Sequence, residues 1–174
     1  EPANAAYDKE TDSIKDSVRG IDFNVALAQS IYDEAEEGET VSVPLTVTEP
    51  EITSEELEEV LFRDVLAEKS TSMSSSSSNR ITNISLAAAA INGTVLNPGE
   101  TFSFNGTVGQ RTTAKGYKEA GAYVSGESVN QVGGGICQVS STIYYCVLHA
   151  DLEVVDRRNH MFSVSYLPLG MDAT

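Results

Sequence analysis

The amino-acid sequence predicts an α+β fold, in which a small acidic α+β domain precedes a mixed α+β domain with a glycine-rich turn leading into a central helix. Apolar residues recur at helical spacing in some segments and alternate as in strands in others. Residues 1–80 hold 19 acidic and 6 basic residues, whereas 81–174 hold 7 and 5. A serine-rich run, 70–79, lies close to this change in charge. We therefore expect separate domains over 1–69 and 80–174.

The first domain is expected to contain two helices with a strand between them. An apolar stripe predicts a helix over 21–35, capped by Asp22 and ended by Gly38. The next segment, "TVSVPLTVTEP", alternates as a half-buried strand does. In "TSEELEEVLFRDVLAEK", Thr53 or Ser54 is the expected N-cap of a second helix of about 15 residues, and its first glutamates suit the helix dipole.

The serine-rich segment, 70–79, has two interpretations. Its sequence, "STSMSSSSSN", has the composition of a flexible linker between domains. An extended segment that lies across a domain surface would have the same composition. The sequence leaves both possibilities open.

The second domain is predicted to begin with an alanine-rich helix that ends before Gly93. "NPGE" predicts a type II turn and "TFSFN" a strand. Residues 105–130 are expected to be loops with a short strand near Tyr123. The glycine run then leads into a helix that reaches about His149, and "LEVVDR" and "FSVSYLP" predict two final strands.

The composition excludes nucleic acid as a partner. The net charge is −15 and the chain has no basic stripe, whereas nucleic-acid binding depends on lysine and arginine side chains that neutralise phosphates. The sequence also has no apolar run of about 18 residues and no signal-peptide pattern at its start. Membrane attachment is therefore expected only through an N-terminal anchor absent from this chain.

The two cysteines are expected to be free thiols. Cys137 and Cys146 lie nine residues apart in the predicted helix, which places them about 13 Å apart along the axis and on opposite faces. A disulfide needs Cα atoms within about 7 Å. With only two histidines and no ligand-like spacing, a structural zinc site is not expected either.

The stretch "VGGGIC" places Cys137 in the first turn of the helix. There the helix dipole favours a thiolate, and unpaired backbone N–H groups can bind a developing oxyanion. The alternative is a small apolar residue at the start of a buried helix, since free cysteines are often buried. A phosphate-binding loop is not supported, because the glycines match neither of the common phosphate-loop patterns.

A nucleophilic cysteine needs a base, and only His160 fits. His149 is about 18 Å further along the same helix and cannot reach Cys137. The candidates to orient His160 are Asp156, Asn159 and Asp172, of which we prefer Asp172. The alternative for His160 is a surface histidine without a catalytic role at the start of a strand. Arg111 and Arg158 are candidate clamps for a substrate carboxylate, with a solvated surface arginine as the alternative for each.

Three stretches together resemble the VanW domain in order and spacing: "NRITNISLAAAAINGTVLNPGETFSFNGTVGQRTTAKGYKEAG", "GGGICQVSSTIYY" and "RRNHMFSVSYLPLGMDAT". The resemblance covers roughly residues 79–174. Upstream, "RGIDFNVALAQSIYDEA" and "VSVPLTVTEPEITSEEL" resemble the peptidoglycan-binding domain that commonly precedes VanW in Gram-positive surface proteins. The VanW domain was named for its place in a vancomycin-resistance cluster.

The resemblance implies a peptidoglycan L,D-transpeptidase that forms 3-3 cross-links through a cysteine acyl-enzyme. Cys137 would be its nucleophile and His160 its base, without a metal or cofactor. The implied oxyanion donors are the backbone groups of Gly135, Ile136 and Gln138. The expected substrate-binding residues are Arg111, Arg158, Asn159, Ser140 and Ser141.

The resemblance implies peptidoglycan stem peptides as partners, with glycan as a second candidate. The implied location is the extracytoplasmic cell wall or membrane-anchored surface of a Gram-positive-type bacterium. VanW domains usually continue beyond the "DAT" motif, so a chain ending at Thr174 is expected to lack part of its C-terminal edge. Two other functions remain open at this point. One is a non-catalytic peptidoglycan-binding module, and the other is a cysteine peptidase that trims stem peptides.

Overall fold

A computed structural model describes residues 1–124 and 127–174, without the side chains at 123–124 and 127–128. The chain divides into two compact units, Glu1–Asp64 and Val65–Thr174. Helices and small antiparallel sheets occur in the chain, which confirms the predicted α+β class. None of the helices in the described ranges is long and apolar enough to cross a membrane.

The first unit is built from two antiparallel strand pairs and two helices. Strand β1 pairs with β2, and β3 pairs with β4, both antiparallel. The elements are β1 (Ala6–Asp8), β2 (Ser13–Lys15), β3 (Gly20–Phe23), α1 (Val25–Glu34), β4 (Leu45–Thr48) and α2 (Ser54–Val60).

The first helix begins later than predicted. Residues 20–23 form strand β3 instead, because Ile21 pairs with Val47 and Phe23 with Leu45 in a ladder that a local helical stripe cannot reveal. Asn24, not Asp22, is the N-cap, and its side chain accepts a hydrogen bond from the Leu27 N–H at 3.0 Å. The helix also ends at Glu34, before Gly38.

The second half of this unit contains the predicted strand and the predicted helix, but both are shorter than predicted. Only Leu45–Thr48 of the predicted strand pairs, directly after Pro44, which has no N–H to donate to a ladder. Thr53 caps α2 in a capping box with Glu56, as one of the two predicted caps. The helix has 7 residues rather than about 15, and Phe62, just beyond it, has a φ of 54° that no α-helix continues through.

The second unit packs two longer helices, a short helix and a hairpin around one core. Its elements are α3 (Ser78–Ile91), α4 (Phe104–Val108), a 3₁₀ turn (Thr113–Lys115), β5 (Glu119–Val124), β6 (Glu127–Val132) and α5 (Cys137–His149). Strand β5 pairs with β6 in an antiparallel ladder. The buried core consists of Ile84, Ala87, Val108, Tyr117 and Val139.

The serine-rich segment packs on this second unit. The side-chain amide of Gln138 donates to Thr71 Oγ1 at 2.9 Å and to the Ser72 carbonyl at 3.0 Å. Met73 lies against the core cluster, and Ser77 is the N-cap of α3. The segment therefore lies across the surface of the unit, which is the second of its two interpretations.

Several predictions for the second unit are confirmed and others are wrong. Helices α3 and α5 form as expected, Gly93 follows α3 with a φ of 79°, and "NPGE" closes a turn with a 3.0 Å hydrogen bond from the Glu100 N–H to the Asn97 carbonyl. The predicted strand "TFSFN" does not form. Helix α4 begins at Phe104 instead, because the Ser103 side chain accepts a hydrogen bond from the Gly106 N–H and caps the helix.

The C-terminal part departs most from the prediction. Strand β6 lies where loops were expected, and residues 150–174 contain neither of the two predicted strands. Side-chain hydrogen bonds hold this segment instead of a strand ladder: Ser141 binds the backbone of Ala173, and Arg157 binds the Asp172 carbonyl. Such bonds depend on the tertiary fold and leave no alternating pattern in the sequence.

Candidate functional site

The turn before α5 requires its glycines. Gly133 and Gly135 have φ values of 85° and 99°, a region that favours glycine. A Cβ on Gly134 would lie 2.1 Å from the Ala120 carbonyl oxygen, and one on Gly135 would lie 2.5 Å from Arg80 Cγ. The close approach of β5 and of Arg80 therefore excludes side chains here. This turn places Cys137 as the first residue of α5.

Asn83 binds the glycine turn through a hydrogen bond to Gly134. The sequence did not identify it as a site residue. It is fully buried on α3, where its amide donates to the Gly134 carbonyl at 3.0 Å and to the Lys118 carbonyl at 2.9 Å. Its Oδ1 accepts from the Lys118 N–H at 2.8 Å. The available signal was a polar residue directly beside the apolar stripe of an alanine-rich helix.

Cys137 is half-buried on a groove, with Sγ 3.3 Å from Thr174 Oγ1. Two of the expected oxyanion donors are already engaged, since the Ile136 N–H donates to Gly133 and the Gln138 N–H to Gly135. Among the described residues, no acceptor binds the N–H of Gly135 or of Cys137 itself. The backbone donors available at the thiol are therefore those of Gly135 and Cys137.

His160 is fixed by a buried carboxylate. Its Nδ1 and its backbone N–H both lie 2.7 Å from Asp172 Oδ2, and both side chains are nearly buried. Arg157 contacts the other oxygen, Oδ1, at 3.2 Å. An imidazole that donates its Nδ1–H to a carboxylate keeps Nε2 as its basic nitrogen. The structure thus pairs His160 with Asp172, whereas Asp156 is exposed.

The environment of Asp172 favours its charged form. Burial by itself raises the pKa of the carboxyl group, but the hydrogen bonds from the backbone and ring of His160 outweigh it, and the pKa lies below the ordinary 3.8. The carboxylate is therefore ionised at neutral pH and can stabilise a positive charge on His160.

The C-terminal segment reaches the site through two serines. The hydroxyls of Ser140 and Ser141 donate to the Ala173 carbonyl at 2.8 and 3.0 Å, and both residues are buried. The Thr174 N–H donates to the Arg158 carbonyl at 2.8 Å. Ser140 and Ser141, predicted to bind substrate, here anchor the segment that carries Asp172 and Thr174.

Cys137 and His160 line one groove of about 930 Å³ within the second unit. Of the predicted substrate-binding residues, Arg111 lines it, whereas Arg158 and Asn159 are exposed residues outside its lining. Asn159 instead donates through its amide to the His160 carbonyl at 2.7 Å. The other lining residues include Ser72, Ser75, Ser76, Ser77, Arg80, Gln110, Thr112, Gln131, Ser163, Ser165, Tyr166 and Thr174.

Sequence reasoning missed Arg80, Tyr166 and the serine-rich segment as parts of this groove. Their positions depend on contacts with distant residues, and Arg80 in "NR" at a helix start has no local mark of a site. The other cysteine and histidine are elsewhere. Burial raises the pKa of the Cys146 thiol, and His149 stacks on Tyr145 with ring centroids 4.0 Å apart.

The arrangement supplies the parts that nucleophilic catalysis by cysteine requires: a thiol at a helix start, an imidazole oriented by a carboxylate, and free N–H donors. No group of three or more His, Cys, Asp or Glu residues in the described ranges is placed to hold a metal ion. Fold and site define an α+β domain whose glycine turn presents a thiol on a groove shared with a carboxylate-bound histidine.

Residues 79–174 match the family of VanW-like proteins, and the chain belongs to that family. This confirms the resemblance seen in the sequence motifs. The resemblance of the first 69 residues to a peptidoglycan-binding domain stays a prediction.

Two curated relatives are similar to the chain. The Bacillus subtilis protein YoaR, described as uncharacterized, is 47% identical over 134 residues, which cover 77% of this chain and 44% of the relative. The vancomycin B-type resistance protein VanW of Enterococcus faecalis is 35% identical over 83 residues, which cover 48% of this chain and 30% of the relative. The chain spans less than half the length of either relative. No solved structure shows a significant match.

Proposed function

We propose that the protein is a cell-wall enzyme, a peptidoglycan L,D-transpeptidase that forms 3-3 cross-links through a thioester on Cys137. The observation that carries this proposal is that Cys137 and an Asp172-bound His160 line the same groove. A buried structural cysteine would need neither the groove nor the oriented imidazole. Membership of the VanW-like family, with one relative named for vancomycin resistance, supports work on the cell wall.

The first half-reaction transfers an acyl group to the enzyme. His160 takes the proton of the Cys137 thiol, and the thiolate attacks the carbonyl carbon that joins the third stem residue to D-alanine. The N–H groups of Gly135 and Cys137 stabilise the oxyanion. When the intermediate collapses, the C–N bond breaks and protonated His160 gives its proton to the leaving amine. D-Alanine departs, and the acyl group remains on Sγ as a thioester.

The second half-reaction transfers that acyl group to another stem. The side-chain amine of its diamino acid attacks the thioester carbonyl, and His160 accepts the proton that the amine loses. The new C–N bond forms, the C–S bond breaks, and the thiolate is restored. Asp172 serves both steps, because it orients the ring and stabilises its charged form.

The first unit is proposed to bind glycan or stem peptide, on the basis of its sequence resemblance. The protein is proposed to work outside the cytoplasm, at the wall or anchored surface of a Gram-positive-type bacterium, because its substrate is found there.

Muropeptide analysis tests the catalytic proposal. The 174-residue protein and its Cys137→Ala variant are incubated with purified tetrapeptide muropeptides, and the products are separated and weighed by mass spectrometry. We expect 3-3 dimers and released D-alanine with the parent protein only. Cys146→Ala is the matched control and should keep the activity, because Cys146 lies outside the groove.

Other outcomes identify the alternatives. Shortened monomers without dimers would indicate a peptidase that uses water as acceptor. Unchanged muropeptides, with a folded protein that still binds them, would indicate the non-catalytic module and would contradict both enzyme functions.

A further inference from the structure

The charge of the groove is opposite to that of the protein. The chain carries 26 acidic and 11 basic residues, yet the described lining of the groove contains two arginines and a histidine and no aspartate or glutamate. A site of this charge in an acidic protein indicates an anionic ligand.

The two groove arginines differ from the paired arginines of the chain. Arg19, Arg63 and Arg157 each contact a carboxylate within 3.2 Å. Among the described residues, neither Arg80 nor Arg111 forms an ion pair. Arg80 Nη1 donates to Ser76 Oγ at 2.7 Å, and Arg111 Nη2 donates to Asn105 Oδ1 at 2.6 Å. Both are half-buried, so their remaining donors have limited access to water.

Arg111 has an unsatisfied donor. Its Nε is buried and has no hydrogen-bond partner in the described part of the chain. A buried N–H without an acceptor costs about 1–3 kcal/mol, so an acceptor supplied by a ligand would remove a cost that the free protein carries. The guanidinium is also restrained, because it lies over the Phe104 ring at 5.9 Å.

Both arginines lie against the glycine turn that presents the thiol. A Cβ on Gly133 would be 2.9 Å from Arg111 Cβ, and one on Gly135 would be 2.9 Å from Arg80 Nε. Gly135 also supplies one of the two free N–H groups. In a peptide cleaved at its last amide, the terminal carboxylate is separated from the reacting carbonyl carbon only by the amide nitrogen and one α-carbon. The Arg80 guanidinium lies beside this turn, and Arg111 contacts the turn through Cβ and lines the same groove. These two side chains are therefore candidates to bind that carboxylate.

We propose that Arg80 and Arg111 bind the free C-terminal carboxylate of the donor peptide and so restrict the enzyme to stems that end one residue beyond the attacked carbonyl. This inference rests on the proposed function for the position of the peptide. Planar guanidinium forks recognise carboxylates through two parallel hydrogen bonds, which lysine cannot reproduce. Arg80 and Arg111 thus determine donor specificity, whereas Cys137 and His160 carry out the chemistry.

Binding to a protein that cannot react tests the inference. Calorimetry compares a tetrapeptide stem with a free terminal carboxylate against the same peptide with a C-terminal amide, both with Cys137→Ala protein. We expect the acid to bind about tenfold more tightly than the amide. Adding Arg80→Met or Arg111→Met should reduce this ratio to about twofold, and Arg80→Lys should restore it only in part.

The matched control is Lys118→Met, which removes one positive charge from an exposed residue of the same unit outside the groove lining. It should keep the tenfold ratio. Thermal unfolding of each variant verifies that the domain is folded. A ratio near one in the parent, or a ratio unchanged by both arginine substitutions, would overturn the inference.

The two proposals fail in different ways. The acid could bind tightly, in an arginine-dependent manner, to a protein that never acylates Cys137, and then only the proposed enzyme function would be lost. Equal acylation of Cys137 by the acid and the amide, measured as intact protein mass, would contradict the carboxylate inference. It would not contradict the proposed transpeptidase function. Equal loss of acid and amide affinity in the arginine variants would show a structural role for these side chains and would also overturn it.

Discussion

At the scale of single residues, the orientation of His160 depends on Asp172. The carboxylate accepts hydrogen bonds from the ring and backbone of His160 and contacts Arg157. We expect Asp172→Asn to lower the free energy of unfolding at pH 7 by about 1–3 kcal/mol, because it removes charge-assisted bonds in a nearly buried place. Urea denaturation measures the change. Asp156→Asn, which alters an exposed carboxyl group, should change stability little.

The same carboxyl group predicts a pH dependence. Because its pKa in the folded protein lies below 3.8, its contribution to stability is present above that pH and is lost as the pH falls through the folded-state pKa. The stability difference between the parent protein and Asp172→Asn should therefore be full at pH 7 and shrink below pH 3.8. A difference that stays constant down to the lowest pH at which both proteins fold would contradict this account.

The sequence identified individual site residues unevenly, for a physical reason. Cys137 and His160 could be predicted, because the chain has only two cysteines and two histidines and because helix geometry eliminated His149. Arg80 and Tyr166 could not be predicted as site residues, because arginine and tyrosine occur in many roles and only tertiary contacts bring them to the groove. The sequence around Ser140 and Ser141 gives no sign of their role, because they bind Ala173, which lies over 30 residues further along the chain.

At the scale of elements, the glycine turn and strand β5 are packed too closely for any side chain between them. We expect Gly134→Ala to destabilise the second unit by more than about 3 kcal/mol, since its Cβ would lie 2.1 Å from the Ala120 carbonyl oxygen. Gly121→Ala is the matched control, because no atom lies within 4 Å of a Cβ there. Equal unfolding midpoints for the two variants in urea would show that the turn can move away from β5.

Helix α3 supports the same turn through Asn83. Asn83→Leu retains the approximate size but removes three hydrogen bonds to Lys118 and Gly134 and leaves backbone groups unpaired. The expected loss is about 3 kcal/mol of unfolding free energy, at roughly 1 kcal/mol for each bond. Ser85→Ala, an exposed change on the same helix, should stay within about 0.5 kcal/mol of the parent. A denaturant titration that fails to separate the two variants would disprove the supporting role.

Elements with local signals were predictable, and those specified by partners were not. Helices α3 and α5 have long apolar stripes and a glycine at one boundary, so their own sequences are sufficient to predict them as helices. Strand β3 was predicted as part of a helix because its pairing with β4 is a contact between segments over 20 residues apart. Residues 150–174 contain apolar alternation without forming a strand, since side chains of α5 and Arg157 satisfy their backbone.

At the scale of the whole molecule, the change in charge along the chain corresponds to a difference in construction. The buried apolar cluster lies in the second unit, whereas among the described residues of the first unit only Ala5 is a buried hydrophobic residue. Apolar side chains such as Val25, Phe62 and Leu45 are exposed there. A unit of this size with so little buried apolar surface has little hydrophobic stabilisation.

This difference predicts how the chain unfolds and where it can be divided. A fragment of residues 65–174 should unfold cooperatively and keep the peptide binding of the full chain, because it contains the core and the whole lining of the groove. A fragment of residues 80–174 should be less stable by about 2 kcal/mol, because it lacks Met73 and both acceptors of the Gln138 amide, Thr71 and Ser72.

Urea denaturation of the two fragments, followed by circular dichroism, measures the comparison. The full chain should show an earlier transition from the first unit, whose isolated fragment, 1–64, is expected to be only marginally folded. If fragment 80–174 matched fragment 65–174 in stability and in peptide binding, the serine-rich segment would be a dispensable linker. Its contacts with Gln138 would then contribute nothing to the groove wall, and the boundary predicted from composition would be the physical one.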